Sequence, residues 1–241
     1  MTTPRRATRV VSLVPSATES LLALGIVPIA CTRFCEQPGI PTVGGTKDPA
    51  VAAIVDLAPD LVVVNDEENR REDAAALTAA GLTLHSMSPR ALADVGPAVG
   101  ALAEAVGRDA PDTALAQARP TRGSAIAFVW RRPWMTQRSD TYGASVLEHL
   151  GWTNPFAAAD TRYPETDLDA VVALAPDLVA LPSEPYPFRS RHRDEVAAAL
   201  PAARVELVDG RDLFWWGTRT PAAVARLGTR LRPDAGLPRI G

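Results

Sequence analysis

The sequence predicts an α/β protein built from two pseudo-repeated lobes, each with a Rossmann-like parallel sheet. The main observation is an internal repeat, because the stretches around Pro59 and Pro176 share one pattern: helix, Pro-Asp turn, apolar strand, polar loop and helix. Repeats of this kind define the architecture of a chain, and alternation of strands and helices is typical of parallel α/β sheets. The length of 241 residues also suits two lobes of about 100 residues each.

Each half begins with a short apolar run that has strand character, residues 9–13 in the first half and 125–129 in the second. A turn and a helical pattern follow each run. The two helical patterns end at Gly25 and Gly151, which suit the position just past a helix C-terminus.

The halves also end alike, with an extended run at residues 83–85 or 205–208, then a loop and an Ala/Leu-rich amphipathic helix that finishes near Val106 or Leu231. Three strand–helix pairs are therefore expected in each lobe. The interior positions expected from this pattern are Leu13, Leu21, Leu61, Val63, Leu77, Ile126, Phe128, Val146, Leu178 and Val196.

We expect the first lobe to span residues 8–107 and the second to span residues 124–234. The linker, residues 108–123, has room only for a short helix at about residues 112–118, because prolines bound that segment on both sides.

Composition excludes several classes of partner. A net charge of −3 lacks the basic character expected of a nucleic-acid-binding protein. No apolar run approaches the roughly 18 residues of a membrane span, so the chain is not expected to be integral to a membrane. It is expected to be a monomer.

The sequence also bears on the compartment. Pro15 and Glu19 interrupt the first apolar stretch, so it makes a poor signal peptide, and we predict a cytoplasmic protein. An extracytoplasmic, membrane-associated protein is the alternative. Two cysteines agree with a reducing compartment, although Cys31 and Cys35 would also suit a small disulfide or a pair of metal-binding thiolates.

The motifs of several enzyme classes are missing from the sequence. It contains no GxGxxG after the first strand, no phosphate-binding GxxxxGK[ST], no GxSxG and no HExxH. We therefore predict a protein without catalytic activity. A cytoplasmic metal-dependent enzyme or cofactor chaperone is an alternative.

Several segments carry a resemblance to a known family. They are similar to segments of the vitamin B12-binding and ferric-siderophore-binding proteins of ABC importers, the class III periplasmic binding proteins, whose lobes are joined by a helical backbone. The matching segments are residues 9–19, 32–38, 43–45, 57–62, 174–179 and 209–214.

The resemblance implies that the protein binds a metal chelate in a cleft between the lobes, cobalamin or another corrinoid above all, and has no intrinsic cofactor. The alternative is a ferric siderophore or haem delivered to an ABC importer. Family members dock to the permease through one glutamate on each lobe, and the aligned positions hold Ala52 and Asp169 here. A permease partner is therefore in doubt. The linker is also shorter than the family's.

Candidate ligand residues follow the predicted strands. Aromatic side chains in these loops suit a flat, partly apolar ligand, while arginine and glutamate suit its polar groups. The alternatives are that the aromatics pack their own loops and that the glutamates begin a helix. The candidates are Ser16, Phe34, Glu67, Glu68, Arg70, Trp130, Arg132, Trp134, Glu184, Tyr186, Phe214, Trp215 and Trp216, with His192 as an axial ligand to the metal of a bound chelate.

Overall fold

The computed structural model describes residues 7–232, which form two compact α/β units. The first unit comprises residues 7–89, 93–114 and 216–219, and the second comprises residues 90–92, 115–215 and 220–232. The last two residues of the predicted second lobe, 233 and 234, lie outside the described residues. The α/β class and the pair of similar parallel sheets are confirmed.

The first unit is built on one four-stranded parallel sheet with the strand order β2-β1-β3-β4. All four residues of the third strand are buried, as expected for a parallel strand covered on both faces. The elements are β1 (Val10–Ser12), α1 (Pro15–Ala23), β2 (Ala30–Cys31), a 3₁₀ turn (Arg33–Cys35), α2 (Val51–Asp56), β3 (Leu61–Val64), α3 (Arg71–Ala79), β4 (Leu84–Ser86) and α4 (Leu92–Ala105).

The second unit repeats this plan with a parallel sheet of order β10-β9-β5-β7 and adds a two-stranded antiparallel pair, β6 with β8. The elements are β5 (Gly123–Ala127), β6 (Trp134–Met135), α5 (Tyr142–His149), β7 (Trp152–Thr153), β8 (Glu165–Thr166), α6 (Leu168–Leu174), β9 (Leu178–Pro182), α7 (Ser190–Ala199), β10 (Arg204–Val208), α8 (Gly210–Phe214) and α9 (Thr220–Arg230).

The predicted interior residues form the cores of the two units. All ten are at most 5% exposed. Leu13 and Leu77 belong to the core cluster of the first unit, and Phe128 and Val196 to that of the second. The apolar periodicity of the sequence therefore located the buried faces of strands and helices correctly.

The two glycines predicted at helix ends lie one residue past the C-caps of α1 and α5. Gly25 has φ 73° and Gly151 has φ 90°, backbone conformations that glycine adopts without a steric penalty. Both predictions are confirmed.

The predicted linker helix is wrong. Residues 108–122 contain no helix, so the expected segment 112–118 is irregular. Asp112 accepts a hydrogen bond from a backbone N–H two residues later, at 2.8 Å, a local bond that competes with helix formation. The backbone N–H groups of Arg119 and Arg122 donate to the last residue of α5 and to the glycine after it.

Candidate functional site

A pocket of about 470 Å³ lies in the second unit, beyond the carboxyl ends of two neighbouring parallel strands, β5 and β9. Ligands of open α/β sheets bind in loops at this end of the strands. The loop after β5, the loop after β9 and the first half of α7 supply its walls. The lining residues are Arg131, Arg132, Tyr186, Arg191, His192 and Glu195.

The pocket is basic, since three arginines and one glutamate line it. Nη2 of Arg131 donates to both carboxylate oxygens of Glu195 at 2.8 Å, and this hydrogen bond raises the pKa of the guanidinium. Nε of Arg131 is buried and has no hydrogen-bond partner among residues 7–232. A buried donor without a partner is unfavourable, and the Tyr186 side chain acts on the same guanidinium, raising its pKa further.

Tyr186 lines the pocket and contacts further aromatic rings. Trp130 is 43% exposed and contacts Tyr186 edge to face, with ring centroids 5.5 Å apart. Trp134 stacks on Phe188 at 5.9 Å and packs against Phe128 at 4.5 Å. Trp130 and Tyr186 can therefore offer ring surface to a ligand, whereas Trp134 packs against the core cluster of the second unit.

His192 caps the first turn of α7. The residue is 3% exposed, its Nδ1 accepts the backbone N–H of Arg189 at 3.0 Å, and its Nε2 lies 3.1 Å from Nε of Arg191. Burial lowers the pKa of the imidazole, and the guanidiniums of Arg191 and Arg131 act in the same direction. Nδ1 is thus engaged by the backbone, and an axial contact to a bound chelate, which stays a prediction, would have to come from Nε2 beside Arg191.

The remaining candidates of the second unit form a separate group near α8. Cζ of Arg211 lies 4.9 Å from the ring centroid of Trp215, and its Nε lies 3.9 Å from the carboxylate of Glu184. Phe214 packs tightly against Gly143, where an added Cβ would lie 2.8 Å from the phenyl ring.

In the first unit, the loop after β3 is organised by an asparagine. Oδ1 of Asn65 accepts the backbone N–H groups of Glu67 and Glu68 at 2.7 and 3.0 Å. Asn69 ties this loop to the end of β1 by donating to the carbonyl oxygen of Leu13 at 3.3 Å. The two glutamates therefore lie on a fixed turn at the carboxyl end of a parallel strand.

Arg70 pairs with Asp73 of the helix that follows, with Nε 2.8 Å from Oδ2. This ion pair raises the pKa of the guanidinium. In this arrangement Arg70 helps to begin α3, and the acidic residues in the first turn of α3 suit the positive end of the helix dipole.

Three further candidates of the first unit lie in different environments. Phe34 is 49% exposed on the 3₁₀ turn, with the guanidinium of Arg33 above its ring at 4.8 Å. Trp216 is 5% exposed. Ser16 is buried at the start of α1, and its hydroxyl has no hydrogen-bond partner within residues 7–232.

The segment from Trp216 to Arg219 packs along α1. The backbone N–H of Thr218 donates to Oγ of Ser20 at 3.2 Å, and Nη1 of Arg219 lies 3.1 Å from the carboxylate of Glu19. A Cβ added at Gly217 would lie 2.2 Å from the Ser20 hydroxyl. This close approach requires glycine.

Sequence reasoning missed several residues of these arrangements. Arg191 and Glu195 line the pocket from a helix whose strongly polar sequence is typical of a solvated face. Asn65 and Asn69 hold the first-unit loop, and their spacing of four residues directly after an apolar strand was the available signal.

Metal binding by protein side chains finds no support in this part of the chain. Residues 7–232 contain no group of three or more His, Cys, Asp or Glu side chains placed to hold a metal ion. Within the same residues no helix has the length and apolar character needed to span a bilayer.

Comparisons with known proteins give structural matches only. No family model and no curated protein matches the sequence. The fold is similar to that of the periplasmic vitamin B12 binding protein BtuF of Vibrio cholerae, with a TM-score of 0.75 and 20% identity over 93% of this chain and 96% of that one.

Two haem-binding proteins are also similar. The periplasmic haem-binding protein BhuT, in complex with two haems, gives a TM-score of 0.71 and 20% identity over 96% of this chain and 99% of that one. A periplasmic haem-binding protein from Pseudomonas aeruginosa gives a TM-score of 0.73 and 18% identity over 95% of this chain and 94% of that one. The fold implied by the sequence resemblance is therefore confirmed.

The predicted cytoplasmic location is wrong. All three similar structures are periplasmic proteins, and they point to an extracytoplasmic location. The prediction rested on the interrupted apolar stretch and on the small number of cysteines. Neither feature determines the compartment of a protein.

Proposed function

We propose that the protein binds a metal chelate without transforming it. Its fold neighbours bind vitamin B12 and haem, and a binding role agrees with a sequence that carries none of the common catalytic motifs. The observation that carries the proposal is the basic pocket of the second unit, with the exposed ring of Trp130 beside it.

The charge of this pocket favours a ligand with acidic groups. Arginine recognises carboxylates through paired N–H groups, and Arg131, Arg132 and Arg191 all line the pocket. A flat ring system could cover Trp130 and Tyr186 while its acidic groups contact Arg132 and Arg191. Haem combines a planar ring with carboxylates, and ferric siderophores with acidic groups share part of this chemistry.

A corrinoid is the second candidate. Its peripheral groups are mainly neutral amides, which both donate and accept hydrogen bonds. Glu195 supports this candidate, because its side chain is 37% exposed beside the pocket and could accept amide N–H groups.

The proposal includes an extracytoplasmic location and one ligand per monomer. For docking to a permease, we propose that this chain supplies only one of the two carboxylates. Asp169 is exposed in the first turn of α6 and would supply one docking carboxylate, whereas the exposed Ala52 of α2 supplies none.

A titration tests the proposal. The purified protein is titrated with haem, with cyano- and hydroxocobalamin and with a ferric siderophore, following tryptophan fluorescence and the visible spectrum of each chelate. Saturable binding of one chelate supports the proposal, and the chelate that binds most tightly identifies the class. No saturable binding to any of them would refute it.

Variants test the site itself. Arg132→Gln should weaken binding of an acidic chelate about tenfold, because it removes a charged hydrogen-bond donor worth about 1.5 kcal/mol. Arg193→Gln is the matched control: Arg193 lies on the same unit, pairs with Asp194 at 2.9 Å and does not line the pocket. Equal affinities for the two variants would exclude this pocket as the ligand site.

A further inference from the structure

Both cysteines of the chain lie together in the first unit. Cys31 ends β2, and Cys35 ends the 3₁₀ turn that follows. They are 0% and 3% exposed and form one buried cluster with Ile40. The sequence has two cysteines among 241 residues, and both belong to this one cluster.

Cys31 and Cys35 pack in the same small buried cluster, and the neighbouring Cys35 contributes to raising the pKa of Cys31. Sγ of Cys35 also lies 3.2 Å from the hydroxyl of Thr18 and 3.3 Å from that of Thr32. Two cysteines that are four residues apart in the sequence and packed in one buried cluster are candidates for a disulfide, which requires Cβ atoms about 4 Å apart.

A metal ion is a poor occupant for this cluster. Cysteine binds metals as a thiolate, but burial, together with the neighbouring Cys35, raises the pKa of Cys31 to about 12. In the part of the chain that the structure describes, no third His, Cys, Asp or Glu joins the pair to complete a site. A disulfide, which is apolar and uncharged, suits the same surroundings.

We propose that Cys31 and Cys35 form an intramolecular disulfide. An oxidant of the disulfide class, such as glutathione disulfide, supplies the chemistry by exchange. One cysteine thiolate attacks the oxidant, whose S–S bond breaks to release one glutathione thiol and leave a mixed disulfide. The second cysteine displaces the other glutathione thiol and closes the Sγ–Sγ bond. Two protein thiols are oxidised and one disulfide of the oxidant is reduced to two thiols.

Folding and oxidation are expected to be coupled. Exchange needs a thiolate, and the buried, protonated thiols of the folded protein supply almost none. The bond should therefore form before β2 and the following turn are buried, and it should form slowly once they are.

The bond would close a short loop that contains Arg33 and Phe34. Both side chains are exposed, and Phe34 is one of the candidate ligand residues. A disulfide would therefore fix the backbone of a turn that presents an aromatic ring to solvent. The inference does not depend on the identity of the ligand, and its test does not measure ligand binding.

The experiment compares two ways of exposing the full chain to oxidant. One sample is unfolded, reduced and refolded in a glutathione redox buffer. A second is refolded under reduction and then given the same buffer. We expect the first to lose the mass of two hydrogen atoms, to show no free thiol after denaturation and to yield a peptide linked through Cys31 and Cys35. The second should oxidise at least tenfold more slowly.

The melting temperature provides a second measurement. The oxidised protein should melt several degrees above the reduced one, and a variant with Cys31→Ala and Cys35→Ala should not respond to reductant. If that variant does not fold, the comparison of oxidised with reduced wild-type protein stands alone. Two free thiols after oxidative refolding, or a disulfide between two chains, would overturn the proposal.

Discussion

At the scale of single residues, Glu195 reduces the positive charge of the second-unit pocket, because it is the one acidic side chain among the pocket's lining residues. Its carboxylate holds Nη2 of Arg131 and thereby keeps part of that guanidinium from a ligand. An acidic ligand has to compete with Glu195 for the same donor.

Glu195→Gln should therefore tighten binding of an acidic chelate about three- to tenfold, since it removes a negative charge close to the ligand. The measurement is the dissociation constant at two ionic strengths, because the gain should shrink as salt screens the charges. Asp194→Asn is the control, since Asp194 neighbours Glu195 in sequence but pairs with Arg193 outside the pocket. Weaker binding by Glu195→Gln would show that the carboxylate contacts the ligand directly.

Some pocket residues could be predicted from the sequence and others could not. Trp130, Arg132 and Tyr186 follow predicted strands, and the ends of parallel strands are where ligands bind. Arg191 and Glu195 come instead from α7, where a run of charged residues looks the same whether it faces solvent or a pocket. His192 looked accessible in the sequence because nothing there indicates that its ring folds back onto the helix N-terminus.

At the scale of secondary-structure elements, the repeat explains both what was predicted and what was missed. β3 and β9 occupy equivalent positions in the two copies of the repeat, and each strand begins directly after a Pro-Asp pair. By contrast, β6 and β8 have two residues each, too few to show a period of two. Within the predicted linker helix, the Asp112 side chain takes the backbone N–H of Ala114. Just beyond it, Arg119 and Arg122 donate to the end of α5, a partner that the local sequence does not indicate.

The two helix-ending glycines offer a matched pair of substitutions. A Cβ at Gly151 would lie 2.4 Å from the carbonyl oxygen of Pro120, whereas nothing lies within 4 Å at Gly25. Gly25→Ala should cost about 1 kcal/mol, the strain of a positive φ alone, and Gly151→Ala about 3 kcal/mol because the linker must also shift. Urea unfolding of both variants measures the difference. Equal losses of unfolding free energy in the two variants would show that the linker can move away from the added Cβ at no cost.

At the scale of the whole molecule, the three histidines are expected to lower the free energy of unfolding as the pH falls. Burial lowers the pKa of His85, His149 and His192 in the folded protein, while an unfolded histidine has a pKa of about 6.5. Below that pH the unfolded chain takes up protons that the folded chain does not. The stability that depends on the neutral state of these histidines is therefore present above about pH 6.5 and is lost as the pH falls below it.

Denaturant unfolding at several values between about pH 5 and about pH 6.5 measures this loss, and each histidine can contribute up to about 1.4 kcal/mol per pH unit. His85→Gln should reduce the pH dependence of the free energy of unfolding by the part that His85 contributes. Asp194→Asn, an exposed substitution elsewhere in the chain, should leave the slope unchanged. A free energy of unfolding that rises as the pH falls through this range would contradict the assigned directions.

Residues 216–219 belong to the first unit although the residues on either side belong to the second. This arrangement affects folding during synthesis. A ribosome delivers the chain from its N-terminus, so β1, α1 and the rest of the first sheet emerge long before Trp216 and Gly217. Until then α1 lacks two contacts, the hydrogen bond that Thr218 donates to Ser20 and the ion pair of Arg219 with Glu19. The first unit is thus expected to remain incomplete until synthesis has passed Arg219.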